Sequence, residues 1–286
     1  NEQPDGVIVQ GDTTSSYLCA MAAFYLKIPV FHVEAGLRSF DLYNPFPEEI
    51  NRKQITTVSE LHFVPTEIAK QNLLNEHVDS KKVFNTGNTV IDALFQIRNS
   101  EKYNRSKPSF LEEIEPSQKL ILVTAHRSEN VDNTHQLKQI FSGLEKLHKK
   151  FHKRIIFPIH PRTLNKLNFK IPKCVETFKP LGFFDFTYLE KNAFCLLTDS
   201  GTVPEETLYF KKPCVTIRES TERPEIIEAG SNILAGLDVN RIFNSVKQMT
   251  SIKPEWNWDS SLGDGNTASK VINILQGKLE RRKISL

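Results

Sequence analysis

Two stretches in the second half of the chain carry the residue types of an anion site. Asp199-Ser200-Gly201-Thr202-Val203-Pro204-Glu205-Glu206 and Ser220-Thr221-Glu222-Arg223-Pro224-Glu225 each read as a strand end running into a helix N-terminus. There the unpaired backbone N–H groups and the helix dipole attract phosphate. A proline near the helix start and a glutamate in the first turn support that placement. One such turn is equally well explained as a capped helix. Two of them, with Arg223 able to fork onto phosphate or ribose oxygens, favour a nucleoside diphosphate. Asp12, Glu34, His126, His160 and Ser200 each fall just past an apolar run, where ligands of doubly wound sheets are held. Any one of them also reads as a cap or loop residue; together, on different strand ends, they read as a site.

The elements that must position these residues follow from the apolar rhythm. Short apolar runs at Val7 to Gln10, Pro29 to Val33, Leu61 to Val64, Lys82 to Asn85, Leu120 to Thr124, Ile155 to Ile159, Phe194 to Leu197 and Cys214 to Ile217 alternate with helical patterns. This predicts parallel strands joined by crossover helices, mostly buried on both faces. Leu137, Ile140, Phe141, Leu144 and Leu147 recur at helical spacing and predict a core-facing helix from Asn133 to Lys149. The rhythm breaks near residues 99–117, where charged residues, serine and proline take over. The expected class is α/β with two Rossmann-like, doubly wound domains. The first covers residues 1–104, a linker 105–118, the second 119–265, and a closing segment 266–286 holds a helix from Thr267 to Gln276 free to pack on either. With no strand unit before Val7, the first domain reads as incomplete at its front.

Composition narrows the function classes. A chain of 286 residues, 39% of them hydrophobic, can bury a large core. Lys and Arg number 37 against 34 Asp and Glu, and the net charge of +3 is too small to argue for a nucleic-acid partner. The basic run from Lys278 to Lys283 reads as a solvated helix end. Cys19, Cys174, Cys195 and Cys214 have no paired spacing and read as buried small hydrophobes in a reducing cytosol. The sequence shows no apolar run of bilayer length and no signal peptide, so the expectation is a cytoplasmic protein without a membrane partner. It also shows no metal-ligand cluster.

The motifs have an order as well as a composition. Gly11-Asp12-Thr13-Thr14, His32-Val33-Glu34-Ala35-Gly36-Leu37-Arg38, Pro47-Glu48-Glu49 with Asn51-Arg52, Thr86-Gly87-Asn88-Thr89 and Ala125-His126-Arg127 precede the two turns. From Val7 to about Ile274, this ordered set closely resembles the non-hydrolysing UDP-N-acetylglucosamine 2-epimerase family. The resemblance implies the GT-B architecture, two Rossmann-like domains facing a cleft with the last helix crossing back to the first. It implies a UDP-sugar substrate, a homodimer, no cofactor, and a product used in cell-surface polysaccharides.

The chemistry so implied is elimination and re-addition. The proton at C2 of a UDP-N-acetylhexosamine is not next to a carbonyl, so UDP is first eliminated across C1 and C2 to give a glycal. Protonation of the opposite C2 face and return of UDP complete the inversion. Carboxylates with separated pKa values suit the proton transfers. Carried over by position, Asp12, Glu34, Glu48 and His126 are the catalytic set. Asp12 and Glu48 would move protons at C2, Glu34 would position the sugar, and His126 would stabilise the departing diphosphate. Arg38 and Arg52 join the substrate contacts. Ser200, Gly201 and Thr202 would hold the diphosphate, Glu206 the ribose, Arg223 a phosphate or ribose oxygen, and Phe186 would lie by the uracil. Phe186 also reads as an apolar position of a short helix, Glu34 as a partner of Arg38, and Glu48 as a helix-start charge. The family's Arg and Lys in a Gly-rich turn have no counterpart positions in this chain.

Two departures bear on the sugar. Thr202 stands where a glycine is usual, and His160-Pro161-Arg162 replaces a His-Leu-Asn-Pro type stretch. Both resemble the sub-branch acting on modified sugars such as UDP-2,3-diacetamido-glucuronic acid or UDP-N-acetyl-fucosamine types, in which Arg162 would pair with a sugar carboxylate. The other readings are a hydrolysing relative, a glycosyltransferase on the same scaffold, and a UDP-binding fragment without catalysis.

Overall fold

A computed structural model describes residues 3–100, 120–256 and 262–284, with the side chains of 281–284 left aside. The expected linker 105–118 lies outside the described residues. The chain divides into two compact units, Asn1–Gln96 with Asp259–Leu286, and Ile97–Trp258.

The first unit is built on a parallel sheet in the order β1 (Val7–Gln10), β2 (Val30–Val33), β3 (Leu61–Val64) and β4 (Val83–Asn85). β2 and β3 are buried along their whole length, as continuous apolar runs inside a parallel sheet must be. Helices α1 (Thr14–Tyr25), α2 (Glu48–Val58), α3 (Glu67–Asn75) and α4 (Thr89–Asn99) follow the four strands in turn. Val9 and Val30 bury one face of the sheet with Ala20 and Ala23 of α1 and Ile55 of α2. Phe31, Val33, Leu61 and Phe63 pack instead on Val271 and Leu275, which belong to the last helix of the chain, Thr267–Ile284. Asp92 of α4 fixes the start of that helix by accepting from the Thr267 and Ala268 N–H groups at 3.0 and 2.8 Å. A carboxylate at a helix N-terminus satisfies orphan donors and complements the dipole. Lys278, in the stretch expected to be solvated, reaches Glu60 at 3.2 Å.

The second unit holds β5 (Ile121–Thr124), β6 (Ile155–Pro158), β7 (Val175–Phe178), β8 (Cys195–Thr198), β9 (Cys214–Thr216) and β10 (Asn232–Leu234). All pair in parallel, in the order β10-β9-β8-β5-β6-β7. Strand order therefore reverses between β5 and β8, the switch point of a Rossmann sheet, where the loops diverge and leave a crevice. β7 and β10, absent from the expected strands, are the two edges. An edge strand need not be apolar throughout, and β7 alternates buried Val175 with exposed Thr177. The expected core-facing helix is α6 (Thr134–Phe151), capped by Asn133, with Leu137, Ile140, Phe141, Leu144 and Leu147 buried. It follows the short helix α5 (Ser128–Val131). The remaining helices are α7 (Pro161–Lys166), α8 (Phe183–Asn192), α9 (Val203–Tyr209), α10 (Pro224–Glu228) and α11 (Val239–Ser251), and the chain closes with Thr267–Ile284 as α12.

Cys195 and Cys214 are buried, and burial pushes the Cys214 thiol up to about 12. Cys19 is exposed and Cys174 half-buried, so the reading of all four as core residues holds for two. Cys19 lies on α1 beside the similarly exposed Leu18. No helix among the described residues is long and apolar enough to cross a membrane.

Candidate active site

In the first unit the site grows from the carboxyl ends of β1 and β2. Gly11 turns the chain out of β1 with φ +68°, a backbone region open to glycine at little cost. Its N–H donates to Val33 O at 3.0 Å, and its carbonyl lies 2.8 Å from His32 Nε2. Burial lowers the His32 pKa to about 4, so the ring is neutral at pH 7 and able to donate to that carbonyl. The next residue, Asp12, is thereby held beside β2. A Cβ on Gly11 would touch Glu34 Oε2 at 3.5 Å, so the Glu34 carboxylate flanks the same turn. Glu34 itself has φ +62°.

α2 supplies the third wall. Arg52 Nε and Nη2 both reach Asp12 Oδ2, at 2.8 and 2.6 Å, and Nη1 donates to Glu49 Oε2 at 3.0 Å. Asn51 Nδ2 donates to the Asp12 carbonyl at 2.8 Å. Glu49 is fully buried and also accepts from the Ser39 and Phe40 N–H groups at 3.0 and 3.3 Å. Arg52 therefore welds Asp12 and the 39–40 loop to one helix, and its guanidinium, 3% exposed, supports Asp12. Glu48, the first residue of α2, lies one turn before Arg52 on the same face and is half-buried.

Arg38 does not join this cluster. Its Nε and Nη2 grip the Glu76 carboxylate at 2.8 and 2.7 Å, Nη2 also reaches Thr56, and Nη1 donates to the Leu37 carbonyl. With its side chain at 0% exposure it ties the chain after β2 to α2 and α3. Its donors go to Glu76, Thr56 and the Leu37 carbonyl and not to Glu34. Gly36, two residues before it, would place a Cβ 2.2 Å from the Ala69 carbonyl, which is why the segment turns there on glycine.

In the second unit the site sits at the switch point. Asp199, just past β8 and fully buried, accepts through Oδ2 from the N–H groups of His126 and Arg127, both at 2.9 Å, and from Asn130 Nδ2 at 3.1 Å. One carboxylate thus pins the turn after β5 to the turn after β8. His126 Nδ1 lies 3.2 Å from Asp199 Oδ1, and its ring centre is 5.8 Å from that of His160. The surrounding protein lowers the His126 pKa, and the Asp199 charge opposes that shift. In the sequence Asp199 stands within a motif without a role of its own, because its work is visible only once β5 and β8 are neighbours.

The phosphate-type turn is preorganised. Ser200 N–H donates to Thr198 Oγ1 at 2.9 Å, and the Ser200 and Thr202 hydroxyls lie 3.2 Å apart. A Cβ on Gly201 would meet Glu222 Oε1 at 2.7 Å, so the turn passes close to the second motif and a larger residue there would displace the Glu222 carboxylate. Arg223 is 3% exposed, donating through Nε to the Gly201 carbonyl at 2.7 Å and through Nη1 to Glu205 Oε1 at 2.9 Å. It locks the turn in place. Glu206 is buried on α9 beside Glu190 of α8. Phe186 is half-buried on α8 and packs against the cluster containing Leu120, Leu189 and Leu196. His160 caps α7, its Nδ1 accepting from the Arg162 N–H at 3.1 Å, and Arg162 forks onto Asp132 through Nε and Nη2 at 3.1 and 2.6 Å. That pair occupies the guanidinium that was to meet a sugar carboxylate.

A family model described as UDP-N-acetylglucosamine 2-epimerase matches residues 1–276. The chain belongs to the UDP-N-acetylglucosamine 2-epimerase family. The UDP-N-acetylglucosamine 2-epimerase of Methanococcus maripaludis is 41% identical over 97% of this chain and 76% of its own length. The crystal structure of the Methanocaldococcus jannaschii UDP-GlcNAc 2-epimerase in complex with UDP-GlcNAc and UDP superposes with a TM-score of 0.88 at 42% identity, covering 96% of this chain and 76% of that one. The Neisseria meningitidis enzyme bound to UDP-GlcNAc gives 0.85 at 35% identity over the same shares. These likenesses put the family member described above in the GT-B fold class.

Proposed function

We propose that this chain inverts C2 of UDP-N-acetylglucosamine, giving UDP-N-acetylmannosamine, by eliminating and re-adding UDP. The observation that carries the reading is the family match over residues 1–276, which spans both the carboxylate cluster at β1 and β2 and the phosphate-type turn after β8. A base takes the C2 proton, the C–H electrons form the C1–C2 double bond, and the C1–oxygen bond breaks to release UDP. Proton delivery to the other C2 face and attack of a UDP oxygen on C1 reverse these steps and restore the same bonds. In this reading Asp12 and Glu48 share the proton transfers. Asp12 is fixed by Arg52 at one oxygen, which leaves Oδ1 outside that pair. Glu34 orients the sugar from across the Gly11 turn.

UDP must not escape between the two halves of the reaction, and the second unit supplies the grip. Ser200, Gly201 and Thr202 hold the diphosphate with Arg223 behind them, Glu206 accepts from the ribose, and Phe186 offers a ring edge to the uracil. His126 is neutral in the free protein; the negative charge of a departing diphosphate raises its pKa and turns it into a stronger donor. On the same resemblance we take the working form to be a cytoplasmic homodimer, which light scattering tests for its oligomeric part.

Proton NMR of UDP-N-acetylglucosamine incubated with the chain in D2O tests the reading. Deuterium at C2 with a manno-configured UDP-sugar is the expected result. Free N-acetylmannosamine would replace it with a hydrolysing activity, and a C2 that never exchanges would overturn it. Asp12→Asn is expected to lower turnover by about 10²–10⁴-fold while UDP binding, measured by calorimetry, stays intact. Equal loss of both would remove Asp12 from the chemistry.

A further inference from the structure

Glu190 is the buried acid that the reading above leaves unused. It lies on α8 at 0% exposure, and neither of its carboxyl oxygens has a hydrogen-bond donor among the described residues. A charged carboxylate stranded in this way is strongly destabilising, and native proteins rarely tolerate it. The group within hydrogen-bonding reach is a second carboxyl, Glu206 of α9, itself 4% exposed. Two carboxylates are both acceptors, and they can bond only if a proton stands between them.

The surroundings say which oxygen keeps that proton. Burial raises the Glu206 pKa too, but the hydrogen bond with Glu190 and the Arg223 charge both oppose that shift and favour its charged form. Nothing comparable acts on Glu190, whose influences are burial and Glu206, and both push its pKa well up. The other groups nearby are the Thr207 hydroxyl on α9 and the Cys214 thiol on β9, the latter neutral up to about 12. Glu190 is therefore the donor and Glu206 the acceptor.

We propose that Glu190 is a positioning residue for the nucleotide: its protonated carboxyl donates to Glu206 and holds that carboxylate in the orientation that accepts a ribose hydroxyl. This rests on the assignment of Glu206 to the ribose. With the proton in place the pair carries a single negative charge. Loss of the proton at alkaline pH would leave two carboxylates in mutual repulsion, and Glu206 would turn away from the ligand.

Calorimetric titration of UDP into the chain, repeated from about pH 7 to about pH 8.5, below the ionisation of the uracil N3–H, reads this directly. In the unchanged chain the affinity is expected to fall as pH rises. Glu190→Gln keeps a donor and cannot lose it, so its affinity should match the unchanged chain at pH 7 and stay level at higher pH. Glu190→Leu fills the space without a donor and should bind UDP about tenfold more weakly at pH 7, with KM raised and kcat little changed. A leucine variant that binds UDP as well as the unchanged chain, or a glutamine variant with the same alkaline decline, would overturn the inference while leaving the nucleotide site standing. Absence of UDP binding by the unchanged chain would instead sink the ribose assignment and the inference with it. The free protein offers a separate readout: the infrared carbonyl band of a neutral carboxylic acid at pH 7, lost in Glu190→Gln. Its absence from the unchanged chain would refute the shared proton.

Discussion

Glu49 in the first unit and Glu190 in the second are buried to the same degree, each at 0% exposure, yet their surroundings differ completely. Glu49 receives two backbone N–H groups and the Arg52 guanidinium. Glu190 faces another carboxyl and no donor among the described residues. Glu49 is buried charge used as a joint, fastening Asp12 and a loop to α2 through Arg52, whereas the proposal for Glu190 is a buried proton. Burial alone thus says little about what an acidic residue does; its donors decide.

The sharpest break of this contrast is a pair of leucines. Glu49→Leu removes the acceptor of Arg52 Nη1 and of two buried N–H groups and is expected to cost about 3–5 kcal/mol of stability, measured by urea denaturation. Glu190→Leu removes one hydrogen bond but also a carboxyl that would ionise freely in the unfolded chain, so its change at pH 7 should stay below about 1 kcal/mol. Equal costs would mean that the two acids are held in the same way.

A smaller effect separates the units by pH. His32 and His62 are partners in register on β2 and β3, and burial lowers their pKa values from 6.5 to about 4 and about 3. The unfolded chain therefore takes protons first; the stability they contribute is complete above pH 6.5 and is lost as pH falls toward those folded values. Each histidine should remove about 2 kcal/mol between about pH 7 and about pH 5. Glu190 runs the other way. Its folded value is raised above 4.5, so its contribution is complete below that pH and is lost as pH rises. Amide hydrogen exchange should show β2 and β3 opening more easily in acid, and α8 and α9 more easily in base. A single limb shared by both sheets would contradict it.

The least effect belongs to the surface. Arg162 and Asp132 are both more than a third exposed, and Arg162→Ala should change stability by no more than about 0.5 kcal/mol and leave turnover of UDP-N-acetylglucosamine unaltered. A large loss of turnover would return Arg162 to the site.

The sequence made the strand-end positions readable because apolar runs stop where function begins: Gly11-Asp12, Glu34, His126 and Ser200 all stand where the runs placed them. It did not make readable which polar side chain faces a ligand and which faces a neighbour. Arg38 and Arg223 look alike in one dimension as cations in motifs, and both prove to be buried braces whose partners, Glu76 and Glu205, lie 38 and 18 residues away. Glu48 and Glu49 differ by one step around a helix, enough to turn Glu49 into the protein. β7 and β10 escaped notice because edge strands carry half the apolar signal of central ones. Glu190 left no trace at all, since an acid on a helix reads as a solvated residue until the element covering it is known.

The left-handed backbone at Glu34 has a consequence for how this chain can change. With φ at +62°, a residue bearing a Cβ is held in a conformation that glycine adopts without strain. Glu34→Gly should therefore relax the turn after β2 and make the fold harder to melt, while removing a carboxylate beside Asp12. A search for heat-resistant variants that scores survival alone would drift toward that glycine and collect sturdy proteins with failing turnover. Such a screen must assay epimerisation at every round, because at this position what the backbone prefers and what the reaction requires point in opposite directions.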